Sequence, residues 1–203
     1  MSQYYQNIIT QKSWEQLQKI KKQFPFMLIG GWAVYLYTKN LKSKDIDMII
    51  NFESLEKLKY RYEIHKNERL KKYEIKQEGI DIDIYLPYYS SLGLPVEKIV
   101  TYTENIETFT VLKKEVLLFT KLAAYNERKA SVKGQKDRID IISLILLPDF
   151  DFSLFKDFLL KNTYSNYLVI LHNLILETNE VEELSLNKHF FSKRKKEILY
   201  KIK

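Results

Sequence analysis

The chain has 203 residues, of which 45% are hydrophobic and 29% charged, with 33 Lys and Arg against 26 Asp and Glu for a formal charge of +7, and no cysteine. That length supports one domain, or one with a small appendage, and the apolar content excludes a disordered or low-complexity chain. Disulfides, thiolate zinc sites and cysteine nucleophiles are excluded, and no apolar run approaches the roughly 18 to 20 residues of a membrane span.

The amino-terminal stretch shows no basic region followed by an apolar run and a small-residue cleavage site, so a cytoplasmic location is expected. From Ser13 to Phe24, Trp14, Leu17, Ile20 and Phe24 recur at helical spacing, with Ser13 as the candidate cap. Pro25 closes this helix. FMLIGG then reads as a short buried strand entering a glycine turn, and WAVYLYTKN as a helix, giving a strand, turn, helix unit. Asp45 to Asn51 fits a strand with carboxylates at one end, and Glu53 to His65 reads as helix, followed by a lysine-rich connector. Lys72 to Gln77 and Ile80 to Leu86 read as paired strands turning at Gly79, and short strands are expected at Val100 to Thr103 and Thr108 to Leu112.

After Lys113 the pattern becomes helical. KEVLLFTKLAAYNERK and QKDRIDIISLILL have helical periodicity, and three further helices follow in FSLFKDFLL, NYLVILHNLILET and HFFSKRKKEILYKIK. The fold class expected is α+β, a mixed sheet with a carboxyl-terminal helical lobe, divided as residues 1–112 and 113–203. The last eleven residues, from Lys193, carry six basic groups and one acid. Such a tail attracts phosphate backbones, or it closes the lobe as a helix that buries Ile198, Leu199 and Ile202.

The chemistry concentrates between Leu28 and Ile50. Side chains alternate along a strand, so Asp45 and Asp47 share one face while Ile46 and Met48 take the other. Two carboxylates on one spot repel unless a cation or a proton compensates, and hard oxygen donors favour magnesium or manganese. An isolated pair of this kind is ordinarily a set of surface acids. Gly30 and Gly31 stand between a strand and a helix, where backbone amides can receive a phosphate, although a glycine pair alone is more often just a turn. In GIDIDIYLP, Asp81 and Asp83 lie on one face of another strand and offer a third carboxylate.

Together these pieces resemble the nucleotidyltransferase superfamily with the DNA polymerase beta-like fold. Its signature is a hydrophobic residue, Gly-Gly or Gly-Ser, a spacer, then acid, hydrophobic residue, acid. Here it is matched by Ile29, Gly30 and Gly31, thirteen residues, and Asp45-Ile46-Asp47. The family's third carboxylate matches Asp83 better than Asp81. More narrowly the chain is similar to the toxin-associated AbiEii and MenT-like branch, through Lys121, six residues, Arg128, and then Lys136-Asp137-Arg138-Ile139-Asp140. It departs from that branch at Leu41 and Ser43, where an arginine and a threonine are usual, with Lys42 and Lys44 as the nearby cations.

The resemblance implies an enzyme that moves a nucleoside monophosphate from an NTP, ATP among them, to an acceptor hydroxyl and releases pyrophosphate. Asp45, Asp47 and Asp83 would be the catalytic, metal-holding carboxylates for Mg2+ or Mn2+. Gly30, Gly31 and Ser43 would contact the phosphates, and Lys121, with Arg128 or Lys136, would clamp the triphosphate. The acceptor implied by the toxin branch is RNA, a tRNA 3′ end, with an antitoxin protein as partner and no membrane. The alternatives are transfer to a protein or to an aminoglycoside-like small molecule, or a catalytically silent member that binds RNA or a partner. Asp137 and Asp140 read as groups that orient the neighbouring bases.

Overall fold

A computed structural model describes residues 3–77 and 79–203. The chain divides into two compact units at residues 113 and 114. The first holds a seven-stranded mixed sheet, and the second consists of helices.

Helix α1 (Gln3–Lys21) buries Leu17 and Ile20, with Phe24 buried just past its end. It starts well before Ser13, which is therefore not a cap. That hydroxyl is fully buried in mid-helix and accepts a hydrogen bond from the Trp32 indole N–H at 2.9 Å. Strand β1 (Met27–Ile29) runs directly into helix α2 (Gly30–Thr38), with no separate turn between them. Strand β2 is Ile46–Ile49, and α3 (Phe52–Lys59) is capped by the Asn51 side chain, which accepts from the Ser54 N–H.

The expected helix to His65 stops at Lys59, where the Arg61 and Tyr62 amides both turn back to the Leu58 carbonyl. The lysine-rich connector is instead a hairpin, β3 (His65–Asn67) with β4 (Lys72–Gln77), in which Asn67 accepts from the Leu70 amide inside the turn. Strand β5 (Ile80–Tyr85) buries Ile80, Ile82 and Ile84 and leaves Asp81, Asp83 and Tyr85 half-buried on its other face. Strands β6 (Thr103–Ile106) and β7 (Phe109–Leu112) close the unit as an antiparallel hairpin. The strand expected from Val100 begins only at Thr103, because the Tyr102 amide is held to the Ile99 carbonyl in a turn. The sheet order is β3-β4-β5-β2-β1-β7-β6, parallel at β5/β2 and β1/β7 and antiparallel elsewhere.

The second unit contains α4 (Lys114–Arg128), α5 (Val132–Ile145), α6 (Phe152–Lys161), α7 (Asn166–Glu177) and α8 (Lys188–Lys201). Ser131, Asp151 and Asn187 cap α5, α6 and α8 with their side-chain oxygens. Phe119 anchors the aromatic core, with Phe158, Tyr164 and Tyr167 ring centroids at 5.5, 5.1 and 5.0 Å. Among the described residues no helix is long and apolar enough to cross a membrane.

The basic tail is part of this packing. Phe191, Ile198 and Ile202 are buried, Leu199 is half-buried, and the Lys195 ammonium donates to the Leu176 and Thr178 carbonyls at 2.8 and 2.9 Å, at the end of α7. Lysine on orphan carbonyls at a helix carboxyl terminus is favourable. Removing residues 193–203 exposes the surface under two isoleucines, each worth about 1.5–3 kcal/mol when fully buried. The truncated chain should therefore melt at a clearly lower temperature in a calorimetric scan. An unchanged melting curve would return the tail to solvent.

Candidate active site

The first unit places Gly30, Asp45, Asp47 and Asp83 around the junction of three strands. Register sets Ile29 opposite Asp47 across β1/β2 and Asp47 beside Asp83 across β2/β5. Gly30 follows immediately, with φ +66, and the Asp47 carboxylate occupies the space a side chain would fill. A Cβ on Gly30 would lie 2.0 Å from Asp47 Oδ2 and 2.5 Å from its Cγ. Glycine is required here twice, for the left-handed backbone and for the closeness of the acid. The arrangement seats Asp47 at the amino-terminal end of α2, where the helix dipole favours negative charge. Gly31 is buried in the first turn of the same helix.

Asp45 directly precedes β2 and is half-buried like Asp47, while Ile46 and Met48 are fully buried on the opposite face. Ser43 is buried in the loop before them, between exposed Lys42 and Lys44. On the other side of Asp83 the register continues to Glu74 of β4, so Glu74, Asp83 and Asp47 stand abreast on adjacent strands, about 4.8 Å per step. Asp81 faces Lys76 instead.

Lys72 lies two residues before Glu74 and shares its face. Its ammonium sits 2.6 Å from Asp83 Oδ2 and 3.1 Å from Glu74 Oε1, all three side chains being at most 18% exposed. Glu74 also accepts from the Asn67 amide at 2.8 Å. Burial works to lower the pKa of Lys72, but the hydrogen bonds and charges of Asp83 and then Glu74 outweigh it and raise the pKa above the usual lysine range. Burial likewise pushes Glu74 up, and the bonds from Asn67 and Lys72 outweigh it and leave it low.

Among the described residues no three His, Cys, Asp or Glu side chains form a ready metal cage. The donor chemistry nevertheless suits a hard divalent cation. Asp45 and Asp47 supply carboxylate oxygens beside a glycine that leaves room, and magnesium characteristically takes one or two carboxylates and completes its shell with water and substrate phosphate. Asp83 is adjacent and carries a lysine.

The remaining candidates belong to the second unit. Lys121 is buried on α4, its ammonium 2.7 Å from Asp140 and 3.3 Å from Asp137, both of α5. Arg128 Nε meets the other Asp137 oxygen at 2.8 Å. Seven residues apart, the two bases share a helix face, and they meet two acids spaced three apart. Lys136 is half-buried next to them in sequence. Lys72 and Glu74 escape a reading of the sequence. Their signal, charges alternating with Tyr73 and Ile75 in KYEIKQ, is that of a strand with one polar face, and it looks like an ordinary solvated edge.

No protein-family model matches the chain, and no curated protein sequence matches it. Solved structures do. It is similar to a "putative nucleotidyltransferase from H. pylori", with 17% identity and a TM-score of 0.52 over 100% of this chain and 96% of that one. It is also similar to JHP933 from Helicobacter pylori, with 16% identity and a TM-score of 0.52 over 100% of this chain and 93% of the other. At these identities the likeness is one of fold: a mixed α/β architecture of the nucleotidyltransferase type.

Proposed function

We propose that the chain is a metal-dependent nucleotidyltransferase that moves a nucleoside monophosphate from an NTP to an acceptor hydroxyl. The observation that carries this reading is the Asp47 carboxylate seated over Gly30 at the start of α2, with Asp45 on the same face and Asp83 abreast. In this reading Asp45 and Asp47, with Asp83 beside them, hold Mg2+ or Mn2+, which when bound neutralises charge on the attacking hydroxyl oxygen and on the leaving pyrophosphate. The amides of Gly30 and Gly31 and the Ser43 hydroxyl orient the phosphates. Asp83 Oδ accepts the proton of the acceptor hydroxyl. The acceptor oxygen forms its bond to the α-phosphorus as the bond to pyrophosphate breaks. The resemblance to the toxin-associated branch supports an RNA 3′ end, that of tRNA, as acceptor, and an antitoxin protein as partner.

The test is incubation of the purified chain with α-labelled NTPs, Mg2+ or Mn2+, and separate RNA, protein and small-molecule fractions. Label should enter RNA. Asp45→Asn and Asp47→Asn should each lower transfer by a factor on the order of 10² or more, as loss of a transition-state charge partner does. Their melting temperatures should hold, because removing a charge from a like-charged pair relieves repulsion. Full labelling by both variants would remove this function from the chain.

A further inference from the structure

The carboxylate row on β4, β5 and β2 carries its own cation, and that cation has two places to rest. Lys72 Nζ lies against Asp83 at 2.6 Å and within 3.1 Å of Glu74, while Glu74 is steadied from the hairpin side by Asn67. Three carboxylates abreast and largely shielded from water repel one another. An ammonium on a flexible four-carbon stem is a compact charge able to shift between neighbouring acids without leaving the row.

We infer that Lys72 is the resident counter-ion of Asp83, holding this carboxylate aimed, and that it competes there with the divalent cation and moves to Glu74 when the cation enters. Lys72 is thus a positioning residue for Asp83 and sets how readily metal enters by itself. With Lys72 in place, a bare ion must displace an ammonium, whereas an ion arriving with a triphosphate brings negative charge that offsets the cost. Metal entry is thereby coupled to nucleotide entry. This inference rests on the metal-holding reading of Asp45, Asp47 and Asp83.

Titrating MnCl2 alone into the full chain, followed by the electron paramagnetic resonance of free Mn2+ and by calorimetry, tests the competition without any turnover. Lys72→Met should bind Mn2+ about tenfold more tightly or better, the scale on which one charge at contact distance shifts an ionic equilibrium. It should also lower the metal-free melting temperature and recover more of it on adding Mn2+ than the parent does. Lys72→Arg keeps the charge and should behave like the parent. Lys76, exposed on the same face and paired with Asp81, reports the general field, so Lys76→Met should change Mn2+ binding little.

Glu74→Gln removes the second resting place and should weaken Mn2+ binding, a prediction of opposite sign that stands even where Lys72→Met folds poorly. Unchanged or weaker binding by Lys72→Met overturns the inference, as does an equal gain in Lys76→Met or unchanged binding in Glu74→Gln. Absence of Mn2+ binding in both the parent and Lys72→Met overturns the metal-holding reading itself and takes the competition with it.

Discussion

Gly30→Ala should cost about 2–5 kcal/mol of stability, measured by urea unfolding, and should weaken Mn2+ binding at the same time. The backbone term is about 1–2 kcal/mol for an L-residue in the left-handed region occupied at φ +66. The rest is steric. A new Cβ would lie 2.0 Å from Asp47 Oδ2, and rotating the carboxylate relieves that contact, but Asp47's own Cβ would still be only 2.7 Å away. That atom is fixed by a strand paired on both sides, to β1 through Ile29 and to β5 through Asp83. Strand or helix must shift, and overpacking of this kind costs about 1–3 kcal/mol. Gly79→Ala is the matched control. Its φ is +81 with open space where the Cβ would go, so it carries the backbone term alone. Equal losses in the two variants would mean that Asp47 does not sit over Gly30.

The contrast between Gly30 and Lys72 explains which parts of the site are legible in the sequence. Gly30 and Asp47 lie in one stretch of chain, and the hydrophobic residues around them, Leu28 and Ile29 before and Ile46 and Met48 beside, report two buried strands by local pattern alone. The alternation of Ile80, Ile82 and Ile84 with Asp81 and Asp83 is equally local. Which strand lies beside which is not. Asp83 neighbours Asp47 only because β5 pairs in parallel with β2, skipping over the hairpin β3/β4, and that choice depends on how the whole sheet is covered. Lys72 reaches Asp83 through the β4/β5 hairpin, but it comes beside Asp47 only through that parallel pairing.

Ser13 was open to misreading for a related reason. A serine ahead of an apolar period has the local look of a cap, while its actual partner, the Trp32 indole, is nineteen residues away. At Tyr60 to His65 the helical count continues on paper through Tyr62. The helix has already ended there, with the Arg61 and Tyr62 amides both on the Leu58 carbonyl, and His65 to Asn67 pair with Lys72 to Glu74 instead. The lysines and acids of that hairpin obscure its alternation, since a polar strand at a sheet edge has no apolar period to read.

Lys121→Met should destabilise the chain by about 3–5 kcal/mol, the cost of stranding charge when one partner of a buried ionic network is removed. Lys121 is 8% exposed, and Asp137 and Asp140 are 2% and 1% exposed. Arg128 still answers Asp137 at 2.8 Å after the substitution. Asp140, which meets the Lys121 ammonium at 2.7 Å, keeps a buried carboxylate without that ammonium and takes most of the loss. The chain cannot easily repack around it, because Ile139, Ile141 and Ile142 on the same helix are already in the core. Adding Asp140→Asn to Lys121→Met removes the stranded charge, so the double variant should recover part of the loss. That non-additivity is the signature of two groups in direct contact. Urea unfolding of the two single variants and the double closes the cycle. A Lys121→Met variant as stable as the parent, or strictly additive effects, would place Lys121 on a solvated helix face and dissolve the network. A coupling of 1 kcal/mol or more, within the roughly 0.5–3 kcal/mol found for groups in contact, establishes that Lys121 and Asp140 join α4 and α5 as an ion pair, so that any effect of Lys121→Ala on ligand binding has to be measured together with its loss of stability.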